Sequence, residues 1–295
     1  MKLRSANFTP LIFTIPAITI GAIAMYHNEI PTLIWAQNIF ILVMAGFISF
    51  FAVSSKFNMK RNSFSTISIL ISLLLIILTF ISPGIDGVHR WLSIGIIKFN
   101  VSMIVLPILI IELWKLSQIK GLSFTIITTI VISILLSIQP DASQLTGFAI
   151  PMMFMLCSKT DKKVLRLLIF GILSILIVLS WVFLDSLPPV DYVEGILSLL
   201  SNMGLLWLTL GVLSLIILPV PFILFPPKNL KLPSICVGLY FIIILISTFF
   251  GNFPVPLMGY GISPIIGYFI SITWYAKSKI NLAKSKEKSA LSREG

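Results

Sequence analysis

Three carboxylates, Asp185, Asp191 and Glu194, fall within the ten residues Asp185-Ser186-Leu187-Pro188-Pro189-Val190-Asp191-Tyr192-Val193-Glu194, between two apolar runs. A carboxyl at the edge of an apolar phase loses hydration, which raises its pKa unless a cation or metal holds it ionised. A group of that kind is suited to general-base work. As a solvated acidic loop, the same residues would do no chemistry. A second stretch runs Pro83-Gly84-Ile85-Asp86-Gly87-Val88-His89-Arg90-Trp91-Leu92-Ser93-Ile94-Gly95. It is too apolar for a solvated loop and too short to span a membrane. It reads as interfacial or re-entrant, with Trp91 at headgroup depth and Arg90 and Lys98 reaching phosphates. The guanidinium of Arg90 is a planar fork of donors that matches phosphate oxygens; the alternative is an ordinary aromatic-belt anchor. In Gln139-Pro140-Asp141, the acid reads as an N-cap or first-turn residue held by the helix macrodipole.

The remaining reactive residue types are isolated. His27 and His89 are single and far apart, and Cys157 and Cys236 each lie inside an apolar stretch. None has metal-ligand or disulfide spacing. Glu112 lies within an apolar run three residues before Lys115, the spacing of a snorkelling interfacial pair.

The elements that position these groups follow from composition. Of 295 residues, 11% are charged and 57% hydrophobic, and the mean hydropathy is +1.06. Soluble domains carry about 25% charged residues. A soluble globule of this composition would expose large apolar patches and aggregate, and disorder, collagen, coiled coil and disulfide scaffolds are excluded on the same figures. The fold class is therefore all-α, a polytopic membrane helical bundle. A hydrocarbon core about 30 Å thick takes roughly 17–25 apolar residues per helix. That rule gives about ten transmembrane helices, at 9–26, 32–54, 64–82, 99–116, 122–138, 142–158, 165–184, 196–223, 234–250 and 259–276. Residues 1–276 form one transmembrane domain, and 277–295 a basic cytoplasmic tail.

The net charge of +11 is spread as short basic clusters between apolar runs, which is membrane topology and not a nucleic-acid patch. Placing both termini in the cytoplasm puts 19 of the 21 basic residues inside, as the positive-inside rule requires. Only Arg90 and Lys98 fall outside. Six of the ten acids, Glu29, Asp86, Asp141, Asp185, Asp191 and Glu194, share that outer face. The chemistry-capable groups are on the outside.

Taken in order, the outer segments resemble the FtsW/RodA/SpoVE family of bacterial cell-wall proteins, the SEDS proteins. Asp86 to Gly95 resembles that family's Gly-x-x-Arg-Trp-Ile-x-Leu-Gly stretch, and Phe99-Asn100-Val101-Ser102-Met103 lies where the family has Phe-Gln-Pro-Ser-Glu. Gln139-Pro140-Asp141 matches the family's Gln-Pro-Asp. Leu187-Pro188-Pro189 and Met203-Gly204 bracket a stretch similar to its Leu-Pro-Glu…Thr-Asp-Phe…Leu-Gly. Phe253-Pro254-Val255-Pro256-Leu257-Met258-Gly259-Tyr260-Gly261-Ile262-Ser263 resembles its Leu-Pro-Phe-x-Ser-Tyr-Gly-Gly-Ser.

The resemblance implies a multi-pass protein of the bacterial plasma membrane that acts in cell shape, division or sporulation. It implies a peptidoglycan glycosyltransferase polymerising lipid II, the undecaprenyl-pyrophosphate disaccharide-pentapeptide, beside a single-span penicillin-binding transpeptidase. In that chemistry Asp191 is the first choice for the base and Glu194 the second. Arg90 contacts pyrophosphate, with Trp91, Lys98 and Asp141 in support and a divalent cation compatible with the site. Three positions depart from the family pattern: Val193 stands where its catalytic Asp is placed, Met103 where its Glu is, and Leu106 where a Lys often follows. These departures favour an alternative, a catalytically degenerate relative that binds lipid-linked precursor or scaffolds the wall machinery. A transporter or flippase is the third reading, and Glu112 is the one acid within a span to serve it.

Overall fold

In hydrocarbon the backbone must satisfy its own hydrogen bonds, and a long apolar run does so by becoming a helix. The computed structural model describes residues 5–55, 63–95, 97–185 and 187–294. Lys2, Arg4, Lys56, Lys60 and Arg61 of the charge pattern, and Ser186 of the acidic stretch, lie outside the described residues. Among the described residues the fold has twelve α-helices and one two-stranded sheet. In chain order they are α1 (Thr9–His27), α2 (Thr32–Ser54), α3 (Ser63–Ile81), β1 (Trp91–Ile94), β2 (Ile97–Asn100), α4 (Val101–Ile119), α5 (Leu122–Ile138) and α6 (Ala142–Cys157). There follow α7 (Lys163–Val182), α8 (Ile196–Asn202), α9 (Leu205–Ile216), α10 (Val220–Leu224), α11 (Lys231–Ser247) and α12 (Ile262–Glu294).

Five helical stretches, Thr9–His27, Thr32–Ser54, Val101–Ile119, Lys163–Val182 and Lys228–Ser247, are long and apolar enough to cross a membrane, and several shorter apolar helices pack with them. This is a multi-pass membrane protein. Large apolar side chains such as Phe47 and Phe51 of α2, Leu70 and Leu74 of α3, and Leu167 and Phe170 of α7 point outward and exposed. In water they would be a liability; in lipid they are the solvated surface. The centre is built from α4, α6, α11 and α12, whose fully buried side chains include Leu106, Phe148, Tyr240 and Tyr268.

Two parts of the chain differ from the sequence expectation. The predicted span 196–223 is three pieces, α8, α9 and α10, rather than one rod. Gly204 breaks the first joint at φ 112°, a conformation that residues with a side chain rarely adopt. Pro219 and Pro221 break the second, because proline removes the donor that an i→i−4 bond needs. The carbonyls freed around that joint are recovered from neighbouring helices: Tyr268 donates its hydroxyl to Leu218 O at 2.8 Å, Ser234 to Phe222 O at 2.9 Å, and Tyr275 to Phe225 O at 2.8 Å. The second difference is the interfacial segment, which is a β-structure. A tight Asp86–Gly87 turn joins Ile85 to Val88, and the antiparallel hairpin β1–β2 then pairs Trp91 with Asn100 and Ser93 with Lys98. The last predicted span and the basic tail are one continuous helix, α12.

Close approach of α12 to α4 depends on Gly267. A Cβ added there would overlap the Met103 carbonyl oxygen and press on Ile104. Gly267→Ala is expected to cost about 1–3 kcal/mol, the usual range for overpacking. Gly171→Ala, in α7 with open space around it, should be neutral or slightly stabilising. Thermal unfolding midpoints in detergent would separate the two.

Candidate functional site

The site is assembled where the hairpin, the N-termini of α4 and α6, and the α7–α8 connection meet. Asn100 closes β2 and caps α4: its Oδ1 accepts the Met103 N–H at 3.3 Å. Its amide nitrogen donates to Asp141 Oδ2 at 3.4 Å. Asp141 in turn caps α6, accepting the Gln144 N–H at 3.3 Å. Two capping residues, each required by its own helix, are thereby brought into one hydrogen bond.

Arg90, one residue before β1, lies 5% exposed among them. Its Nη2 donates to the Pro140 carbonyl at 2.7 Å and to the Asp185 carboxylate. Its Nε stands 3.7 Å from Asp141 Oδ2, a charge contact without hydrogen-bond geometry. The guanidinium carbon also sits 5.9 Å from the Trp91 ring centroid, within cation–π range. Asp185 Oδ1 accepts the Leu187 N–H at 3.1 Å, which orients the loop that follows. Arg90 is the hub of this cluster.

Further along the same loop, Glu194 Oε2 accepts the Val190 N–H at 2.8 Å. Burial pushes the Glu194 carboxyl above the usual carboxylate range, and the backbone N–H groups of Val190 and Glu194 and the Arg90 charge oppose the shift without cancelling it. The residues around Glu194 are held from the other side by the segment before α12. Tyr260 N–H donates to Tyr192 O at 2.8 Å and Val255 N–H to Val193 O at 3.3 Å. Asn38 of α2 fixes that segment by donating to Gly259 O at 3.0 Å and accepting the Gly261 N–H at 3.2 Å.

The structure thus brings together Arg90, Trp91, Asp141 and Asp185, while Glu194, further along the loop, is bonded to the Val190 N–H and feels Arg90 only as a minor charge effect. Asp191 is exposed on the outer side of its turn, and Lys98 is exposed on β2 opposite Ser93. Among the described residues, neither makes a hydrogen bond or ion pair with the cluster. Asp141 and Asp185 both face the Arg90 guanidinium, and no group of three His, Cys, Asp or Glu gathers among the described residues. The donor set does not fit a metal.

Beneath the cluster, Gln139 of the quoted motifs meets Ser102 and Thr79, and Gln144 meets Tyr240; sequence reasoning missed Thr79, Gln144 and Tyr240. Gln139 accepts from Ser102 at 3.0 Å and donates to Thr79 at 2.6 Å, and Tyr240 donates to Gln144 at 2.7 Å. The available signal was that each amide interrupts an apolar run, and in a membrane bundle such residues turn inward.

No family model matches the sequence, and no curated protein sequence matches it. Among solved structures, the crystal structure of the Thermus thermophilus rod shape determining protein RodA superposes with a TM-score of 0.63. The identity is 16%, over 91% of this chain and 96% of that one. The chain has a RodA-like fold. A mutant of the same RodA gives a TM-score of 0.62 at 15% identity over the same shares. The likeness to RodA covers nearly all of both chains. It agrees at the level of fold with the motif resemblance.

Removing the cation should cost more than removing one anion. Arg90→Gln leaves two buried carboxylates facing each other and is expected to destabilise by about 3–5 kcal/mol, the range for stranding a buried charge. Asp185→Asn leaves Arg90 its Asp141 partner and should cost less; unfolding in detergent, with the double variant closing the cycle, measures both. Glu194 gives a pH signature. Its folded pKa is raised above the unfolded value, so the folded state binds more protons in that window and stability falls as pH rises through it. Glu194→Gln should remove this slope, read as the change in thermal midpoint between acidic and neutral pH.

Proposed function

We propose that the chain is a cell-wall membrane protein of the SEDS type, and that it extends glycan strands from lipid II at the end of the bundle carrying Arg90. The observation that carries this reading is the half-buried Glu194 carboxyl on the same loop as Asp185, the carboxylate that pairs with Arg90. A half-buried carboxyl with a raised pKa lies in the field of a guanidinium, at a site formed by loops over an apolar bundle. Raised basicity is what a general base needs near neutral pH. On this ground Glu194, rather than the exposed Asp191, is the base.

In the reaction proposed, the acceptor sugar hydroxyl attacks the anomeric carbon of the donor, and its proton passes to the Glu194 carboxylate. The anomeric C–O bond to pyrophosphate breaks, and its electron pair leaves with the undecaprenyl pyrophosphate. Arg90 would stabilise that charge, as preorganised cations do for a leaving group; to reach it, the guanidinium exchanges Asp185 for phosphate. An apolar groove of about 500 Å³ between α8–α10 and α11, lined by Leu197, Leu215, Ile216, Ile242 and Phe249, is of a size and polarity suited to part of a lipid chain. A single-span penicillin-binding transpeptidase is the partner proposed.

A second reading has its own observation. Arg90 is already engaged by Asp141, Asp185 and the Pro140 carbonyl, and Val193, Met103 and Leu106 replace the family's polar residues. A chain in this state would bind precursor or scaffold the wall machinery without polymerising.

Purified full-length chain, given labelled lipid II with and without a transpeptidase partner, tests both. The first reading predicts polymer from wild type, a loss of about 10²–10⁴-fold in Glu194→Gln, the usual worth of a general base, and near-normal polymer in Asp191→Asn. Lipid II binding without polymer under every partner condition would establish the second.

A further inference from the structure

The opposite end of the bundle holds a second cavity, of about 600 Å³, where the C-terminal turn of α4, the turn Lys228–Leu230 and the outgoing half of α12 meet. Its polar lining includes Lys115, Lys277, Asn229, Asn281 and the indoles of Trp114 and Trp274, beside Gln118 and Ser278, and no acidic side chain is among the described lining residues.

The donors are only partly used. Lys115 Nζ donates to Glu112 Oε1 at 2.7 Å, and Lys277 Nζ to Ala52 O at 3.2 Å and Ser55 Oγ at 3.3 Å. An ammonium has three N–H groups, so both lysines retain capacity for an acceptor in the cavity. Neither indole N–H nor either asparagine amide has a hydrogen-bond partner among the described residues. A further cation, Lys159, stands 5.9 Å from the Trp114 ring and donates to Ser117 Oγ at 2.8 Å. Apart from Glu112, which pairs with Lys115 from outside the lining, the cavity is a set of donors and positive charge.

Phosphate is the ligand chemistry that matches: compact, anionic and rich in acceptors. Its source is decided by what surrounds the donors. Ile119, Leu230 and Leu282 complete the wall with the two indoles, an apolar flank that a free phosphate would not use. The cavity lies at the ends of membrane helices, where paired Trp and Lys occupy headgroup depth. The helix that forms one wall continues outward as a basic segment, with Lys279, Lys284, Lys286 and Lys288 following Lys277 in sequence. Such juxtamembrane basic segments attract anionic lipid. We propose that this cavity binds the phosphodiester headgroup of an anionic membrane phospholipid, at the end that the positive-inside rule assigns to the cytoplasm. The site is independent of the chemistry at the Arg90 end.

The test is native mass spectrometry of the purified full chain, delipidated and then offered phosphatidylglycerol or phosphatidylcholine. Each lysine near an anionic surface is worth about fivefold in binding, so Lys115→Gln with Lys277→Gln should lower phosphatidylglycerol retention roughly thirtyfold. Lys163→Gln, which removes a charge from α7 without touching the cavity, should leave retention unchanged. Asn281→Asp, an exposed position, puts a carboxylate at the mouth and should also lower retention, which covers the case in which the lysine pair fails to fold. Millimolar inorganic phosphate should not displace the lipid. Equal retention of the two lipids, retention insensitive to the cavity variants, or displacement by inorganic phosphate would each overturn the proposal.

Discussion

A guanidinium buried in a chain with 11% charged residues is the constraint on which the rest of this structure depends. Arg90 has given up water, and an uncompensated charge there would cost several kcal/mol. Compensation comes from two separate parts of the chain. Asp141 sits at the mouth of α6, Asp185 follows α7, and the Pro140 carbonyl precedes the α6 cap. Each partner can reach Arg90 only if its own element is in place. The ion cluster therefore acts as a registration device that ties the hairpin to α6 and to the α7–α8 loop. Whether such a cluster adds net stability over an apolar substitute is a separate matter; its value lies in fixing one arrangement.

The layers below follow from the same accounting. Once Asp141 is committed to Arg90 and to the cap of α6, Asn100 can serve both the α4 cap and Asp141. Gln139 then bridges α3 and α4 through Thr79 and Ser102, and Gln144 meets Tyr240 of α11. These polar groups therefore join elements as well as serving their own. The broken helix α8–α10 is held by the same economy, since hydroxyls of α11 and α12 accept responsibility for its freed carbonyls.

How much of this the sequence discloses depends on the kind of signal. Apolar run length placed α2 and α5 at 32–54 and 122–138, because hydrocarbon thickness leaves no other use for such runs. The N-cap at Asp141 was readable from Asp before an apolar run. Hydropathy failed at 196–223, since it measures composition and is blind to the φ that Gly204 adopts or the donors that Pro219 and Pro221 remove. The hairpin was hidden because four-residue strands are too short for alternation to show. The Arg90–Asp185 contact spans 95 positions, and nothing local records it. For the same reason nothing local separates Asp191 from Glu194: they are three residues apart in sequence, yet one is exposed and the other half-buried.

The functional reading inherits this structure. A RodA-like fold supplies the bundle, and the two readings proposed differ in what its Arg90 end does. Both readings require the cluster to hold the acidic loop against the hairpin. The most direct measurement is a spin-label distance between Ser93→Cys on the hairpin and Pro189→Cys on the loop, in an otherwise cysteine-free chain in lipid nanodiscs. The account predicts a single narrow distance distribution that broadens markedly in Arg90→Gln. An equally narrow distribution in Arg90→Gln would contradict it.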